Sequence, residues 1–216
     1  MVLPFRRWVA KSWLGLRLER EKLDLDDLNT LPDWMRLPRA EGWYADDLDN
    51  LPEAPAHTEL IDGVLVFRLV PQTIWHSRMI SELREALAAQ APPGIEADSG
   101  MTIRLDLRNR PEADIVVNTA PFDPELTWFA PADVRLVVEV VLPESAHRDR
   151  TVKLRKYAEA GIPHYWIVDK EGSAPVVHVY ALDGPTGAYA PAGIFRGTLD
   201  RPVPFPIALD LDALRQ

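Results

Sequence analysis

A glutamate interrupts a run of aliphatic residues in the second half of the chain. Glu139 lies within LVVEVVL at residues 136–142, a pattern that predicts a strand buried on both faces. Burying an unpaired carboxylate costs several kcal/mol, so Glu139 requires a cationic partner, a metal ion or a shared proton. Glu139 is therefore the first candidate for a functional side chain.

Two further acidic residues lie where strand structure alone would not require them. Asp114 precedes the apolar sequence IVV, and Glu59 lies near the start of the sequence TELI. If their strands pair, the carboxylates of Asp114 and Glu139 converge and repel each other, and a hard divalent cation or a shared proton relieves that repulsion. A site made of oxygen ligands and water suits Mg²⁺ or Mn²⁺, which can activate water for attack on a phosphoryl group.

Basic residues follow Glu139 in the segment that we expect to form a crossover helix. Lys153 could orient an attacking water or neutralise a phosphate. His76, in the first turn of an earlier predicted helix, is a secondary candidate. Three arginines are candidates for contacts with phosphate groups: Arg148, Arg150 and Arg155.

Each of these candidates also has a purely structural interpretation. Glu139 could form a buried ion pair with a basic residue. Asp114 could be a turn residue, and Glu59 could be solvated. Lys153 could lie on a solvated helix face, and His76 could pack against the core or cap its helix. The residues by themselves leave these alternatives open.

Periodicity and turn signals predict the elements that position the candidates. The sequence TELIDGVLVFRL predicts a hairpin with a type I′ turn at Asp62-Gly63, and residues 72–90 predict an amphipathic helix. Asp149 and Gly161 are placed to cap and to end a helix between two strands. Strands are predicted at residues 101–109, 134–142 and 164–169, and residues 110–118 predict a turn followed by a short apolar strand.

The strand–helix–strand unit that contains Glu139 implies a parallel pair in the sheet. A further hairpin is predicted in the C-terminal third of the chain. Together these elements predict an α/β fold, with a mixed β-sheet flanked by a few helices and β-hairpins at both ends.

The composition excludes several classes of function. The chain has 216 residues, of which 47% are hydrophobic, and no cysteine, so disulfides, thiolate zinc sites and cysteine nucleophiles are excluded. No stretch approaches the roughly 18 apolar residues of a membrane span, and we expect a cytoplasmic protein without a membrane partner. The net charge of −9 argues against a protein that coats nucleic acid non-specifically. The sequences of nucleophile elbows, P-loops, dinucleotide sites and zincins do not occur.

The first forty residues differ from the rest of the chain. Residues 1–22 are basic and contain Trp8 and Trp13, which suits a helix that packs on the domain or on a partner chain, or else lies on a membrane surface. We therefore expect an N-terminal appendage at residues 1–40 and one compact domain at residues 41–216.

The order of these segments resembles the Uma-type restriction endonuclease family of the PD-(D/E)XK nuclease superfamily, over residues 41–210. The matching segments are ELIDG at residues 59–63, a helix opening near His76, RPEADIVV at 110–117, VVEVVLPES followed by RDRTVKLRKYAEAGIPHYWIVD, and VHVYALDGPTGAY. The chain departs from the family pattern in three places. The family's adjacent Pro-Asp pair is replaced by PEAD, in which Pro111 lies three residues before Asp114. Leu142 stands where a serine is common, and the strand that contains Glu139 has no lysine.

The resemblance implies a restriction-endonuclease-like core in which Asp114 and Glu139 bind a divalent metal ion, with the backbone carbonyl of Val140 as a further ligand. Lys153 would be the family's lysine, moved from the strand to the helix. Glu59 would match the family's N-terminal acidic residue. His76 matches the histidine at the helix start.

The implied function is a Mg²⁺- or Mn²⁺-dependent endonuclease that hydrolyses phosphodiester bonds, with DNA favoured over RNA. A homodimer would suit an enzyme that cuts both strands of a duplex. The alternative is a non-catalytic binding or assembly module that keeps the acidic cluster as structure. Hydrolysis of a smaller phosphate ester would require a deep, closed pocket.

Overall fold

A seven-stranded mixed sheet forms the centre of the computed structural model, which describes residues 32–51, 54–68 and 72–215. Two α-helices are present in these ranges, α1 (Ile74–Gln90) and α2 (Leu154–Glu159). Short helical turns span Asp33–Met35, Ala45–Asn50, Pro131–Asp133 and Ala213–Arg215, and a π-helical turn, Arg148–Lys153, leads directly into α2. The strands are β1 (Thr58–Ile61), β2 (Val64–Phe67), β3 (Glu96–Ile103), β4 (Glu112–Asn118), β5 (Trp128–Phe129), β6 (Val134–Val140), β7 (His164–Glu171), β8 (Ala174–Asp183), β9 (Ala188–Phe195), β10 (Thr198–Arg201) and β11 (Ile207–Asp210).

The strand order of the large sheet is β5-β3-β4-β6-β7-β8-β9. The pair β6/β7 is parallel, whereas β4/β6 and β7/β8 are antiparallel. The parallel pair is joined by the π-helical turn and α2, so the predicted crossover unit is confirmed. The remaining strands form two hairpins, β1/β2 and β10/β11. The hairpin predicted in the C-terminal third, at residues 176–191, is β8/β9, an antiparallel pair at one edge of the large sheet. The predicted mixed α/β fold with hairpins near both ends is therefore correct.

The two faces of the central strands pack against different helices. Val138 of β6 belongs to a core cluster with Met79 and Leu83 of α1. Val137, one residue earlier, belongs to a second cluster with Tyr157 of α2 on the opposite face. Successive strand residues point to opposite faces, so the continuous aliphatic run in β6 follows from its burial on both sides.

The first hairpin and the first helix agree with the predictions. Ile61 pairs with Val64 across the turn, and Asp62 and Gly63 both have positive φ, 52° and 78°, as a type I′ turn requires. The helix predicted from residue 72 begins at Ile74, and the Thr73 side chain accepts a hydrogen bond from its first turn. These local signals were sufficient because each lies within one element.

The strand predicted at residues 101–109 is wrong in its bounds. The strand β3 begins earlier, at Glu96, and ends at Ile103. The chain then turns, because Asp106 accepts hydrogen bonds from the backbone of Arg108 and the side chain of Asn109. Such aspartate-centred turns compete with strand pairing, and the alternation of apolar residues concealed this one.

The predicted helix cap at Asp149 is also wrong. Asp149 lies inside the π-helical turn and is 2% exposed. Gly161 follows the end of α2 with φ of +79°, as predicted for a residue that ends a helix.

Residues 1–31 lie outside the described residues, as does the basic, tryptophan-containing segment at residues 1–22. The division of the chain at residue 40 stays a prediction. Within the part of the chain that the structure describes, no helix has the length and apolar character needed to cross a membrane.

Candidate functional site

A cavity of about 280 Å³ lies at the carboxyl end of β6. Its wall includes Asp114 from β4 and Glu139 from β6, which are neighbouring antiparallel strands. Lys153 enters it from the crossover, and His76 enters it from α1. The sheet order therefore brings together the side chains that the sequence places far apart.

The Lys153 ammonium group lies in the middle of the acidic residues. Its Nζ donates to the backbone oxygen of Glu112 at 2.7 Å and to Oε1 of Glu139 at 3.0 Å, and lies 2.6 Å from Oε1 of Glu59. These three acceptors match the three N–H donors of an ammonium group. Burial lowers the pKa of Lys153, but the carboxylates of Glu139, Glu59 and Asp149 outweigh it and raise the pKa overall. Lys153 is therefore a buried cation with no spare donor.

Among the described residues Glu139 has two hydrogen-bond donors, and both use the same carboxylate oxygen. Lys153 and the Tyr157 hydroxyl donate to Oε1, the latter at 3.1 Å. Burial raises the pKa of Glu139 well above its usual range, against the attraction of Lys153, and the carboxylates of Asp149 and Asp114 raise it further. The acidic cluster formed by Glu59, Asp114 and Glu139 thus favours a proton or another cation at Glu139.

Asp114 is also buried, at 5% exposed, but has donors on both oxygens. The backbone N–H of Val140 donates to Oδ2 at 2.8 Å, and Nη2 of Arg68 donates to Oδ1 at 3.3 Å. Burial would raise the pKa of this carboxyl, but the contacts with His76 and Arg68 outweigh burial and lower it. Asp114 is therefore an ionised carboxylate.

His76 fixes the carbonyl of Val140. Its Nε2 lies 2.8 Å from that oxygen and 3.6 Å from Oδ2 of Asp114. Because a carbonyl can only accept, Nε2 carries the proton. Nδ1 is buried and has no hydrogen-bond partner within the described residues. The carbonyl keeps a second lone pair, which a metal ion can use.

The main chain of Glu112 connects Glu59 to Lys153. Its N–H donates to Oε1 of Glu59 at 3.2 Å, while its carbonyl accepts from Lys153. The Glu112 side chain instead contacts Nδ1 of His57 at 2.6 Å. Burial raises the pKa of Glu112, and the contact with His57 opposes this. Residue 112 thus supports the site through its peptide groups.

The three arginines predicted to bind phosphate are not together. Arg148 lines the cavity, and its Nε lies 3.4 Å from Oε2 of Glu59 without a hydrogen-bond partner in the described residues. Arg150 forms an ion pair with Asp169, and Arg155 forms one with Glu159. Neither Arg150 nor Arg155 lines the cavity.

Three residues that surround the acidic cluster and Lys153 were not predicted from the sequence. Asp149 lies four residues before Lys153 and Tyr157 lies four residues after it, so helical spacing could have placed both beside the lysine. Arg68 gave no local signal, because it follows β2 and reaches Asp114 only through the tertiary fold.

The donor set suits a hard divalent cation. The described residues contain no group of three or more histidine, aspartate or glutamate side chains arranged to hold a metal. Mg²⁺ characteristically uses one or two carboxylates and keeps several waters. Asp114, Glu139 and the Val140 carbonyl supply two carboxylates and one backbone oxygen at the cavity wall. The residues fit an ion whose shell is completed by water.

Comparisons with known proteins agree with this architecture. A crystal structure described as a putative nuclease belonging to DUF820, from Anabaena variabilis ATCC 29413, has a TM-score of 0.62 and 20% sequence identity, covering 78% of this chain and 95% of that chain. This likeness shows a shared fold. None of the curated proteins matches the chain. Residues 45–213 match the model of the family Uma2, whose description is "Putative restriction endonuclease". The chain belongs to the Uma2 family and has its restriction-endonuclease-like fold.

Proposed function

We propose that this protein is a metal-dependent endonuclease that hydrolyses phosphodiester bonds in DNA. The observation that carries the proposal is the convergence of Asp114 and Glu139 on one cavity, beside the buried cation Lys153. Burying several carboxylates together is unfavourable, and a cluster of this kind beside an open cavity is a candidate for a functional site. Membership of the Uma2 family supports the same reaction class.

In this proposal Asp114, Glu139 and the Val140 carbonyl hold Mg²⁺ or Mn²⁺. When bound, the ion would activate water and stabilise charge on the phosphoryl oxygens. Lys153 assists by orienting Glu59 and Glu139 and by balancing their negative charge, because its three donors are already engaged with this site. Glu59 completes the site by holding Lys153 in place.

Arg148 is the arginine best placed to meet a phosphate group. It lines the cavity, and its Nε is without a hydrogen-bond partner in the described part of the chain. Since the whole protein carries a net charge of −9, attraction for DNA must be local to this cavity. We expect the protein to act in the cytoplasm, and a homodimer would place one site on each strand of a duplex.

One observation favours a second candidate function. Each acidic residue of the cluster already faces a basic one: Glu59 and Glu139 face Lys153, and Asp114 faces Arg68. A non-catalytic binding or assembly module could keep such a cluster as internal structure. The two functions differ in whether a divalent cation binds at Asp114 and Glu139.

The test is cleavage of supercoiled plasmid, single-stranded DNA and RNA in Mg²⁺, in Mn²⁺ and in EDTA. Glu139→Gln keeps the shape of the side chain and removes its charge. Glu85→Gln is the matched control, since Glu85 is a 70% exposed side chain on α1. Cleavage that requires metal, is lost in E139Q and is kept in E85Q supports the nuclease.

If the wild-type protein and E139Q are equally inactive on every substrate, the nuclease proposal fails. Absence of Mn²⁺ binding by the same wild-type protein would then favour the binding module. Cleavage of a small phosphodiester without cleavage of any polynucleotide would instead indicate a phosphate-ester hydrolase.

A further inference from the structure

Arg68 contacts Oδ1 of Asp114, the oxygen of that carboxylate that a metal ion would need. Oδ2 of Asp114 accepts the backbone N–H of Val140 and faces Nε2 of His76. Oδ1 is left to the guanidinium of Arg68, which is its charged partner. A cation already occupies this position, and it belongs to the protein.

The contact between Arg68 and Asp114 is long enough to be exchanged. The distance from Nη2 to Oδ1 is 3.3 Å, beyond the 2.7–2.9 Å or so typical of hydrogen bonds between opposite charges. The contact uses one of the five N–H donors of a guanidinium. Arg68 also lines the cavity, with 15% of its side chain exposed. The guanidinium can therefore leave Oδ1 and still face the cavity.

The surrounding charges hold Arg68 only while the site lacks a second cation. Asp114, Glu112, Glu139 and Glu59 all attract the guanidinium, and outweigh its burial to raise its pKa. A divalent ion between Asp114 and Glu139 would neutralise two of these carboxylates and repel Arg68. The freed guanidinium would then still face the cavity, and a phosphate group that enters the cavity is a negative partner that fits its planar fork.

We propose that Arg68 exchanges partners, from Asp114 in the metal-free protein to a phosphate of the nucleic acid once the metal ion is bound. Arg68 is thus a competitor of the metal and a ligand of the substrate. This inference rests on the proposed function, because it takes the metal at Asp114 and the phosphodiester substrate from there.

The two halves of the proposal predict opposite effects of one substitution. Arg68→Gln should bind Mn²⁺ about tenfold more tightly than the wild-type protein, which corresponds to about 1.4 kcal/mol. In Ca²⁺, used as a divalent ion that does not support cleavage, R68Q should bind a DNA duplex about tenfold more weakly. In EDTA the two proteins should bind DNA equally. A misfolded variant would bind both Mn²⁺ and DNA more weakly. A gain in Mn²⁺ affinity together with a loss in DNA affinity therefore distinguishes the proposal from loss of structure.

Arg148→Gln is the matched control for charge. It removes a positive charge from the same cavity wall, but from a residue that faces Glu59 instead of Asp114. Isothermal titration with Mn²⁺ should show a larger gain for R68Q than for R148Q. Should R68Q fail to fold, Arg68→Lys gives the same comparison with a smaller gain, because the ammonium keeps the charge without the planar fork.

Equal Mn²⁺ affinities for R68Q and R148Q would overturn the proposal that Arg68 exchanges partners. Loss of one positive charge near the metal site would then account for the affinity of both variants. DNA binding in Ca²⁺ that does not depend on Arg68 would also overturn it. If the wild-type protein binds no Mn²⁺, the proposed function itself fails, and that outcome is recognised before any variant is compared.

Discussion

Lys153 and Glu139 form a buried ion pair between the crossover and the central strand. Nζ of Lys153 lies 3.0 Å from Oε1 of Glu139, and the two side chains are 1% and 2% exposed. The glutamate that interrupts the aliphatic strand is thus neutralised by a lysine fourteen residues later. Because the same lysine also contacts Glu59, its loss would leave Glu139 without this cation and Glu59 with Arg148 as its remaining basic neighbour in the described residues.

Replacing Lys153 with methionine should destabilise the metal-free protein. Removing one partner of a buried pair leaves an uncompensated charge, and we expect the free energy of unfolding to fall by about 3 kcal/mol. Urea denaturation in EDTA at neutral pH measures this change. Lys170→Met is the control, because Lys170 is exposed and lies over the ring of Trp75. Equal losses for K153M and K170M would show that Lys153 does not balance the cluster.

The stability of the metal-free protein should decrease as the pH rises above the acidic range. Burial raises the pKa of Glu139 above the 4.5 of a free glutamate. Between these two pKa values the folded protein keeps a proton that the unfolded chain has lost, so the free energy of unfolding falls with increasing pH. The contribution of Glu139 is fully present below its ordinary pKa and is lost above the raised pKa.

Comparison with Glu139→Gln isolates this contribution. Asp149 and Glu112 also have pKa values raised by burial, so the wild-type slope alone would combine all three groups. From about pH 5 upward E139Q should show a flatter profile than the wild-type protein in urea denaturation. Mg²⁺ should restore more stability at high pH than at low pH, because it requires the ionised carboxylate. Parallel profiles for the two proteins would contradict this assignment.

Tyr157→Phe should weaken the metal site while preserving the packing around it. The hydroxyl, like Lys153, donates to Oε1 of Glu139, and losing a buried hydrogen bond of this kind should cost about 1 kcal/mol of stability. We expect Mn²⁺ affinity to fall about fivefold as Glu139 becomes less well oriented. Isothermal titration with Mn²⁺ measures the effect directly, without depending on cleavage.

The control for this variant is Tyr189→Phe. The Tyr189 hydroxyl donates to the backbone oxygen of Ile162 at 2.8 Å, so Y189F removes one buried hydrogen bond from the same core cluster. It should lose comparable stability and keep wild-type Mn²⁺ affinity. An equal loss of affinity in Y189F would mean that general loosening of the core, not orientation of Glu139, weakens the site.

Gly63→Ala should destabilise the hairpin that carries Glu59. Gly63 has φ of +78°, and a Cβ atom there would come within 2.7 Å of Cζ of Arg108. The strained backbone should cost about 2 kcal/mol, whereas the guanidinium of Arg108 is the end of a flexible side chain and can move aside. Gly184→Ala is the control, because a Cβ atom at that turn would have no heavy atom within 4 Å. Thermal unfolding that lowers Tm equally in both variants would contradict this account of the turn.

The predictions from sequence succeeded where the signal lay within one continuous stretch of the chain. The aliphatic run around Glu139 predicted its burial and its need for a cationic partner, a metal ion or a shared proton. Asp62-Gly63 predicted the first hairpin. The parallel crossover followed from the spacing of strand, helix and strand. Each of these features depends on periodicity or turn chemistry, which are local properties of the chain.

The features that could not be predicted depend on contacts between distant segments. Arg68 reaches Asp114 across 46 residues, and no pattern around either residue indicates this contact. Asp149 is of a residue type that often caps helices, but the π-helical turn places it in the cavity wall. Periodicity describes which face of an element is buried, and it does not identify which side chain of another element lies opposite.

The contacts at residue 112 have a consequence for substitutions at that position. Glu59 and Lys153 are both held by the peptide groups of that residue, and every amino acid except proline supplies the same N–H and carbonyl. A change of side chain at position 112 therefore leaves both of these hydrogen bonds in place, whereas proline would remove the N–H that donates to Glu59.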